Sequence, residues 1–324
     1  MSIRIGIVGC GAIAREHAHA LSILAGVELF AYADIVEANA KAMRDEFGGV
    51  IATTDAALLI ADDRVDVVYI CTWHDTHAPL VERAAAARKS VVLEKPLAIT
   101  REDCIRIHDA VERSGILLMT AFKLRFYPMV ERARAFITQP IMSVAQVMDS
   151  RWPDDFWAQL PSVGGGNILS QGPHAMDMLY HLHRSEPETV YAEGGAFTHG
   201  DDHIDNIVAT IRFANGSIAS VAQGDSSTAP LVSKFSFQMF DGSRSVHLHD
   251  RLKSATFLDG GKTITERDRH ELGMLEENRA FIAALAGQAP PPTTHIDGLR
   301  ATSMVLAAIE SVRTGVSQRV EAFA

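Results

Sequence analysis

The regular alternation of apolar runs and helical patterns in the first 120 or so residues constrains the fold most strongly. IRIGIVG, VELFAYAD, VDVVYICT, SVVLEKP and ILLMTAF are candidate strands, and helical stretches such as AREHAHALSILA and DTHAPLVERAAAAR lie between them. Strands that alternate with helices of this length build a parallel sheet covered on both faces. We therefore expect a doubly wound α/β domain over residues 1–121.

The pattern changes at about Ile141. IMSVAQVMDS, ETVYAEGGAF, DNIVATIRF, GSIASVAQG and KFSFQMF follow one another with turns and little helix between them, which is typical of an antiparallel sheet. Two helical stretches, ELGMLEENRAFIAALAG and DGLRATSMVLAAIESVRTG, close the chain. We expect a second, α+β domain over residues 122–324 with a large, mostly antiparallel sheet, and a terminal helix able to pack back on the first domain.

Composition excludes several classes of partner. The 324 residues carry 30 basic and 40 acidic side chains, a net charge of −10, and no block of Lys or Arg, so we expect no nucleic-acid partner. No stretch reaches the roughly 18 apolar residues of a membrane span, and MSIRIGIVGCGAIA is typical of a first strand rather than a signal peptide. Cys10, Cys71 and Cys104 are scattered without metal-ligand spacing, which favours a reduced, cytoplasmic setting.

The turn after the first candidate strand carries Gly9-x-Gly11-x-x-Ala14. Small residues here allow a tight turn, close approach of the backbone to a pyrophosphate and close helix packing. Ala12 and Ile13 would open the helix, whose free N–H groups favour phosphate. The pattern predicts a dinucleotide site; a glycine-rich turn without a ligand is the alternative.

Asp34 ends the second strand, at the offset of about 20 residues expected of an acid that binds ribose. No Lys or Arg follows it until Lys41. A 2′-phosphate would therefore meet an uncompensated carboxylate, so we predict NAD in preference to NADP.

Glu94, Lys95 and Pro96 follow directly on the apolar run SVVL. Ligands of doubly wound sheets bind beyond the carboxyl ends of the strands, which would put Lys95 beside the nicotinamide. The alternative for Lys95 is a structural ion pair, for example with Glu94.

GIVGCGAIA, the strand ending in Asp34, CTWHDTHAPL, LEKPLAIT and GGGNILSQGPHAMDML occur here in one order. This order resembles the glucose–fructose oxidoreductase/inositol dehydrogenase family (Gfo/Idh/MocA) over nearly the whole chain. The resemblance implies an N-terminal Rossmann domain, a C-terminal open-faced antiparallel sheet and a substrate cleft between them. It also implies that Lys95 positions nicotinamide and substrate and takes part in proton transfer.

Thr72-Trp73-His74 stands at the family's Thr-Pro-Asn loop and departs from it at two of the three positions. Trp73 either closes over the nicotinamide or packs, and the resemblance suggests a structural or cofactor-side role for His77. The predicted cofactor-binding residues are Gly9, Gly11, Ala12, Ile13, Asp34, Thr72, Trp73, His77, Glu94 and Lys95.

Ser170, His174, Asp177 and His181 share one face of the helix predicted after the glycines, although any amphipathic surface helix shows such a stripe. Family dehydrogenases often carry an acid four residues before a His that accepts the substrate proton. Here Ser170 stands in place of that acid, which puts an acid-assisted relay in doubt. We predict His174 as the acid/base, with Lys95 as the alternative. Asp177 either contacts His174 or anchors the helix. If His174 transfers no proton, it is a hydrogen-bonded residue of the cleft.

Further substrate-binding candidates are Lys123 and Arg125, which follow the last predicted Rossmann strand, and Trp152. Lys123 stands where the family often has a neutral residue, which suggests an anionic or strongly polar substrate; Arg125 is equally suited to a structural ion pair. Aromatic faces suit sugar rings, but Trp152 and Trp157 also suit packing. With Ser170 and Asp177 these residues complete the predicted substrate-binding set.

The segments THGDDHID and VHLHD contain histidines near acids. His199, His203 and Asp201 could hold an ion, yet polar residues entering a strand are the commoner case, and the histidines of VHLHD share one strand face. We expect no metal site.

Together these features predict a cytoplasmic dehydrogenase that uses NAD and acts on a secondary alcohol of a sugar, cyclitol or related polyol. One alternative is an enzyme that keeps NAD bound and uses it transiently in elimination or glycoside cleavage. The other is a cofactor-sensing regulatory protein, since dinucleotide-binding folds are reused in that way. We expect a homodimer or homotetramer that associates through the exposed face of the antiparallel sheet.

Overall fold

The computed structural model describes residues 2–200, 203–227, 233–268 and 273–321. In it the chain forms two compact units. The first comprises Met1–Phe122 and Met274–Gly298; the second comprises Lys123–Gly273 and Leu299–Ala324. Among the described residues, no helix combines the length and apolar character that a membrane crossing requires.

The strands of the described residues are β1 (Ile3–Val8), β2 (Val27–Ala33), β3 (Ile51–Thr53), β4 (Val67–Ile70), β5 (Ser90–Glu94), β6 (Leu118–Ala121), β7 (Met142–Ser150), β8 (Pro187–Gly195), β9 (Asn206–Phe213), β10 (Ile218–Ser227), β11 (Phe235–Phe240), β12 (Arg244–His249), β13 (Ser254–Asp259), β14 (Lys262–Arg267) and β15 (Gln318–Arg319). The helices are α1 (Ala12–Ser22), α2 (Glu37–Phe47), α3 (Ala56–Ala61), α4 (His77–Ala86), α5 (Arg101–Ser114), α6 (Pro128–Phe136), α7 (Gly166–His183), α8 (Gly273–Leu285) and α9 (His295–Thr314). Short 3₁₀ turns lie at His74–Thr76, Lys123–Phe126 and Trp157–Gln159.

The first unit contains a six-stranded sheet in the order β3-β2-β1-β4-β5-β6. Every neighbouring pair is parallel, which confirms the predicted doubly wound sheet. β4 and β5 are almost wholly buried, as strands covered on both faces must be, and their apolar runs made them easy to predict. β3 was not predicted, because it has only three residues and no periodicity.

Helix α8 contributes to the core of the first unit although it lies late in the chain. Phe281 is fully buried in the same apolar cluster as Ile5 and Val92. Its ring meets that of Tyr69 edge to face, with the centroids 6.4 Å apart. Burial of Phe281 places this helix with the first sheet; the sequence analysis allowed a terminal helix to pack back on the first domain without identifying which one.

The second unit contains a nine-stranded sheet in the order β14-β13-β12-β11-β7-β10-β9-β8-β15. Its pairs are antiparallel except for β7 with β10, which are parallel, so the sheet is mostly antiparallel as predicted. β9 alternates buried and exposed residues, because one face packs on the core and the other faces outward. Helix α7 packs against the inner face and is buried over most of its length.

His183 ends α7 inside this core. Its ring stacks on Phe213, with centroids 4.3 Å apart. Its two nitrogens lie 2.7 Å from the Ser217 hydroxyl and 2.8 Å from the Ser143 hydroxyl. Burial lowers the pKa of His183 from 6.5 to about 4, because the protonated ring loses its hydration.

We expect the free energy of unfolding to fall on acidification from about pH 6.5 to about pH 4. In this window the unfolded chain binds a proton at His183 and the folded chain does not, so lowering the pH favours unfolding, by up to about 3 kcal/mol for this residue. Urea unfolding at several pH values would measure the slope. His183→Gln should reduce it, and His19→Gln, which alters an exposed histidine, should leave it unchanged; equal slopes in all three proteins would contradict the assignment.

Candidate active site

The turn after β1 approaches the end of β4 closely. Gly9 has a φ of +84°, and a Cβ built on it would lie 2.4 Å from the carbonyl oxygen of Cys71. No side chain fits in that space, so glycine is required both for the conformation and for the approach. The turn therefore lies against the end of β4 before α1 begins at Ala12.

The start of α1 is open in the way a phosphate group requires. A Cβ built on Gly11, the residue that caps the helix, would meet nothing within 4 Å. No side chain caps the helix, and its first turn holds no acid, so its N–H groups and its dipole are directed at the open space. Ala12 and Ile13 lie in that first turn, and Ala14 is fully buried, as close packing of helix on sheet demands. These residues fit a pyrophosphate.

Asp34 follows β2 and is held by the neighbouring backbone. One carboxylate oxygen accepts the N–H of Cys10 at 2.8 Å, and the other accepts the N–H of Val36 at 2.8 Å. This fixes the carboxylate next to the glycine turn, where a ribose hydroxyl would lie. Burial raises the pKa of the Cys10 thiol to about 12, so this cysteine stays protonated.

His77 connects the loop after β4 with the segment after β5. One ring nitrogen lies 2.9 Å from the Pro96 carbonyl oxygen and the other lies 3.4 Å from that of Thr72. Burial lowers the pKa of His77, although the carbonyl groups act in the opposite direction. Trp73, in the same loop, is 44% exposed. The structure thus shows that His77 joins the loop after β4 to the segment after β5, and a direct cofactor contact of His77 or Trp73 stays a prediction.

Lys95 directly follows β5 and is half-buried. The peptide bond from Lys95 to Pro96 is cis. The backbone N–H of Lys95 donates to one oxygen of the Glu94 carboxylate at 3.2 Å. The other oxygen of that carboxylate lies 3.1 Å from His17 Nε2. His17 was not predicted from the sequence, because no local pattern around a histidine on a helix face indicates a partner 77 residues away.

Asn278 of α8 completes this buried group. Its side-chain amide lies 3.1 Å from His17 Nδ1 and also donates to the Met274 carbonyl oxygen at 2.7 Å. His17 and Asn278 are fully buried, and Glu94 is 8% exposed. Helices α1 and α8 therefore hold the residue that immediately precedes Lys95.

In the first unit the predicted cofactor residues come together at one edge. They follow β1, β2, β4 and β5, which are neighbours in the parallel sheet, with Val8 in register with both Ala33 and Ile70. The carboxyl ends of parallel strands lie at the same edge, where doubly wound sheets bind ligands.

The predicted substrate-side residues of α7 lie on a buried helix rather than on a helix with a polar outer stripe. Ser170, His174 and Asp177 are each less than 8% exposed. The Ser170 hydroxyl accepts a hydrogen bond from Gln171 at 3.3 Å. The ring of His174 meets Phe235 of β11 edge to face, with centroids 5.9 Å apart.

Arg125 and Asp177 form an ion pair in the interior of the second unit. Arg125 Nε donates to one carboxylate oxygen at 2.9 Å, and its Nη2 donates to the other. Both side chains are less than 10% exposed. This matches the structural alternative for Arg125 and the anchoring alternative for Asp177; a substrate contact of either stays a prediction.

Trp152 is hydrogen-bonded to two aspartates of the second unit. Its backbone N–H donates to Asp225 at 3.1 Å, and its indole N–H donates to Asp149 at 3.2 Å. Asp149 also accepts from Lys234 Nζ at 2.5 Å. Asp149 and Lys234 were missed from the sequence, since they stand at strand ends that only the sheet brings together. Lys123 begins the 3₁₀ turn that carries Arg125.

The histidine-rich segment after β8 has polar partners within the protein. His199 Nδ1 lies 2.9 Å from Asp154, and its Nε2 lies 2.9 Å from Asp225. Although burial opposes them, these hydrogen bonds raise the pKa of His199. Asp201, the third member of the candidate ion site considered above, lies outside the described residues.

We expect Asp177→Asn to lower the free energy of unfolding by about 3 kcal/mol, because it leaves the buried Arg125 guanidinium without its charged partner. Denaturant unfolding measures this loss. Asp109→Asn is the matched control, since Asp109 pairs with Arg113 on the surface at 3.6 Å, and it should cost less than about 1 kcal/mol. An Asp177→Asn protein of normal stability but weakened substrate binding would instead assign this carboxylate to the substrate.

Both parts of the chain match models of one protein family. Residues 3–122 match the description "Oxidoreductase family, NAD-binding Rossmann fold", and residues 137–239 match the Gfo/Idh/MocA C-terminal domain. The chain is 27% identical to myo-inositol 2-dehydrogenase of Thermotoga maritima, over 98% of this chain and 99% of that protein. It is 28% identical to D-xylose 1-dehydrogenase (NADP(+)) 2 of Haloferax volcanii, over 91% and 92% respectively.

A crystal structure from Sinorhizobium meliloti 1021, of a candidate myo-inositol dehydrogenase, shares the fold with a TM-score of 0.84. It is 26% identical in sequence and aligns over 99% of this chain and 100% of its own. The motifs, both domain matches and the fold therefore agree: the chain belongs to the Gfo/Idh/MocA family of oxidoreductases and carries that family's NAD-binding Rossmann domain.

Proposed function

We propose that this protein is a dehydrogenase that oxidises a secondary alcohol of a sugar, cyclitol or related polyol with NAD. The observation that carries the proposal is the edge formed by β1, β2, β4 and β5, where the glycine turn, Asp34, Thr72 and Lys95 follow neighbouring strands. The two relatives named above support the substrate class, because their names describe dehydrogenases of an inositol and of a pentose.

The preference for NAD rests on the surroundings of Asp34. Ile35 and Val36, which follow it, are 77% and 51% exposed and offer no positive charge. Lys41, the first cation beyond them, pairs with Glu37 at 2.9 Å. A 2′-phosphate would face the Asp34 carboxylate without compensation, whereas a ribose hydroxyl can donate to it. The relative from Haloferax volcanii is named for NADP, so both cofactors belong in the activity assay.

Oxidation of an alcohol requires that the O–H proton leave as the hydride leaves carbon. When bound, NAD supplies the acceptor for the hydride. We assign the proton to His174, whose burial shields it from bulk water, and we assign to Lys95 the orientation of the alcohol oxygen. Lys95 is the alternative base. The products are a ketone or lactone, NADH and a proton, which His174 accepts from the alcohol.

The remaining predicted substrate contacts fall into two groups. Lys123, Trp152 and Ser170 offer an ammonium group, an aromatic face and a hydroxyl, which suit a polyhydroxylated substrate. Arg125 and Asp177 act mainly by holding α7, which carries His174, because each satisfies the other in a buried pair. We therefore assign substrate recognition to Lys123, Trp152 and Ser170.

One alternative mechanism is favoured by a specific residue. Ser170 stands four residues before His174, and a hydroxyl cannot stabilise an imidazolium ion as a carboxylate does. An enzyme that holds NAD and uses it transiently, in elimination or glycoside cleavage, needs no net release of NADH. A cofactor-sensing regulatory protein remains the non-enzymatic alternative.

We propose a reduced, cytoplasmic setting for the protein. We also propose that it self-associates through the outer face of the antiparallel sheet. Met142, Val144, Tyr191, Val208 and Ile218 are all at least 37% exposed. The strand register places them on one face of β7, β10, β9 and β8. An apolar face of this kind is a frequent interface between copies of a chain.

We expect Val208→Glu to convert a dimer or tetramer to a smaller species, because it places a charge in the centre of that face. Sedimentation velocity measures the change. The matched control is Ile23→Glu, which alters a residue of the first unit that is 69% exposed. A wild-type protein that sediments as a monomer, or a Val208→Glu protein of unchanged mass, would contradict this interface.

The experiment that tests the proposed function is NADH or NADPH formation with a panel of inositols, aldoses, sugar acids and lactones. We expect turnover with NAD on at least one polyol and much less with NADP. Lys95→Met and His174→Gln should each lower kcat by about 10²- to 10⁴-fold, the usual contribution of a positioned acid or base.

His181→Gln is the control for His174→Gln, because His181 lies on the same helix and contacts Glu131 at 3.0 Å. It should keep most of the activity. NAD retained through purification, with no turnover on any compound, would favour transient redox chemistry. NAD binding without turnover, together with capture of a protein partner, would favour the regulatory alternative.

A further inference from the structure

A cluster of two histidines and a glutamate lies in the first unit, outside the cofactor residues described above. His108 and Glu112 are one turn apart on α5, and His295 is the first residue of α9. His295 Nε2 lies 3.2 Å from His108 Nδ1 and 3.2 Å from a carboxylate oxygen of Glu112. One atom from each residue lies within 4.8 Å of the other two.

One hydrogen on His295 Nε2 cannot make good hydrogen bonds to both His108 and Glu112. If His295 Nε2 carries hydrogen, it can make one linear hydrogen bond, to His108 or to Glu112, and the other contact remains unfavourable or strongly bent. If Nε2 carries none, its lone pair faces the Glu112 carboxylate at 3.2 Å. A cation at the centre would satisfy all three lone pairs at once.

Two of the three ligand separations match a tetrahedral ion, and the third, between His108 and Glu112, is within 4.8 Å. With metal–ligand distances of about 2.0–2.1 Å, two ligands of a tetrahedral zinc site lie about 3.3–3.4 Å apart. The two 3.2 Å separations are close to that value. Imidazole and carboxylate together suit Zn²⁺ and its neighbours in the first transition row, whereas Mg²⁺ and Ca²⁺ prefer oxygen ligands alone.

The ligands are also held in place and accessible. Thr293, two residues before His295, donates to the Thr120 carbonyl oxygen of β6 at 2.7 Å. At the start of α9 the Thr294 N–H donates to the Asp297 carboxylate at 2.9 Å. The positive end of the helix dipole opposes a cation there, and the negative charge of Asp297 offsets it. Glu112 is 60% exposed, so an ion can enter from solvent.

We propose that His108, Glu112 and His295 form a binding site for one divalent transition-metal ion, of which Zn²⁺ fits best, with water as the fourth ligand. The ion would tie the last turns of α5 to the first turn of α9. That turn ends at Gly298, the last residue of the first unit, so the site would secure the point at which the chain leaves that unit. The site is structural and takes no part in the redox reaction proposed above.

The test uses the full-length protein without a histidine tag, stripped of metal with a chelator and then dialysed free of it. Isothermal titration with Zn²⁺ should show one tight equivalent per chain, and zinc should raise the melting temperature. Co²⁺ should give the intense visible absorption of a tetrahedral ion. His108→Ala should weaken binding by at least about 100-fold, since even the loss of an outer hydrogen-bond partner of a metal ligand costs 10- to 100-fold.

Two further variants separate the site from general effects. Glu112→Gln removes the charged ligand from an exposed position where folding is not at risk, and it should weaken binding in the same direction as His108→Ala. His19→Ala removes an exposed histidine of α1 and should leave the tight equivalent intact. No tight equivalent in the wild-type protein, or one that survives both His108→Ala and Glu112→Gln, would overturn the proposal. Each readout is independent of dehydrogenase activity.

Discussion

The steric limit at Gly9 is the constraint on which the arrangement of the first unit depends. Because a Cβ there would lie 2.4 Å from the Cys71 carbonyl oxygen, the turn after β1 can lie against the end of β4 only with glycine at this position. The turn sets where α1 begins, and α1 carries His17 to the Glu94 carboxylate at the end of β5. One steric requirement thus connects the glycine turn with the residue next to Lys95.

Buried polar pairs have the same organising role in both units. His17, Glu94 and Asn278 join α1, β5 and α8 in the first unit, and Arg125 and Asp177 join the 3₁₀ turn after β6 to α7 in the second. In each case the pair lies next to a residue proposed to act in the reaction, Lys95 or His174. A buried pair of this kind tolerates few alternative positions, because any shift leaves a charged or polar group without its partner.

The parts of the fold that were predicted from the sequence are those with strong local patterns. The apolar runs ending at Gly9, Asp34 and Lys95 predicted strands whose carboxyl ends form the edge proposed for the cofactor, and their order predicted the doubly wound sheet. The parallel pairing of β7 with β10 was not predicted, because no local pattern distinguishes one pairing direction from another in a run of short strands. β15, with two residues, is too short to be recognised at all.

By itself the sequence determined the two kinds of sheet, the glycine turn, the acid after β2 and the Glu-Lys-Pro segment after β5, since each depends on periodicity or steric rules that act over a few residues. Only the tertiary structure decided that α8 belongs to the first core, that Asp177 pairs with Arg125, and that His108, Glu112 and His295 converge. Those pairings join residues far apart in the chain. Many partners are compatible with the local pattern, and packing of the whole unit selects one.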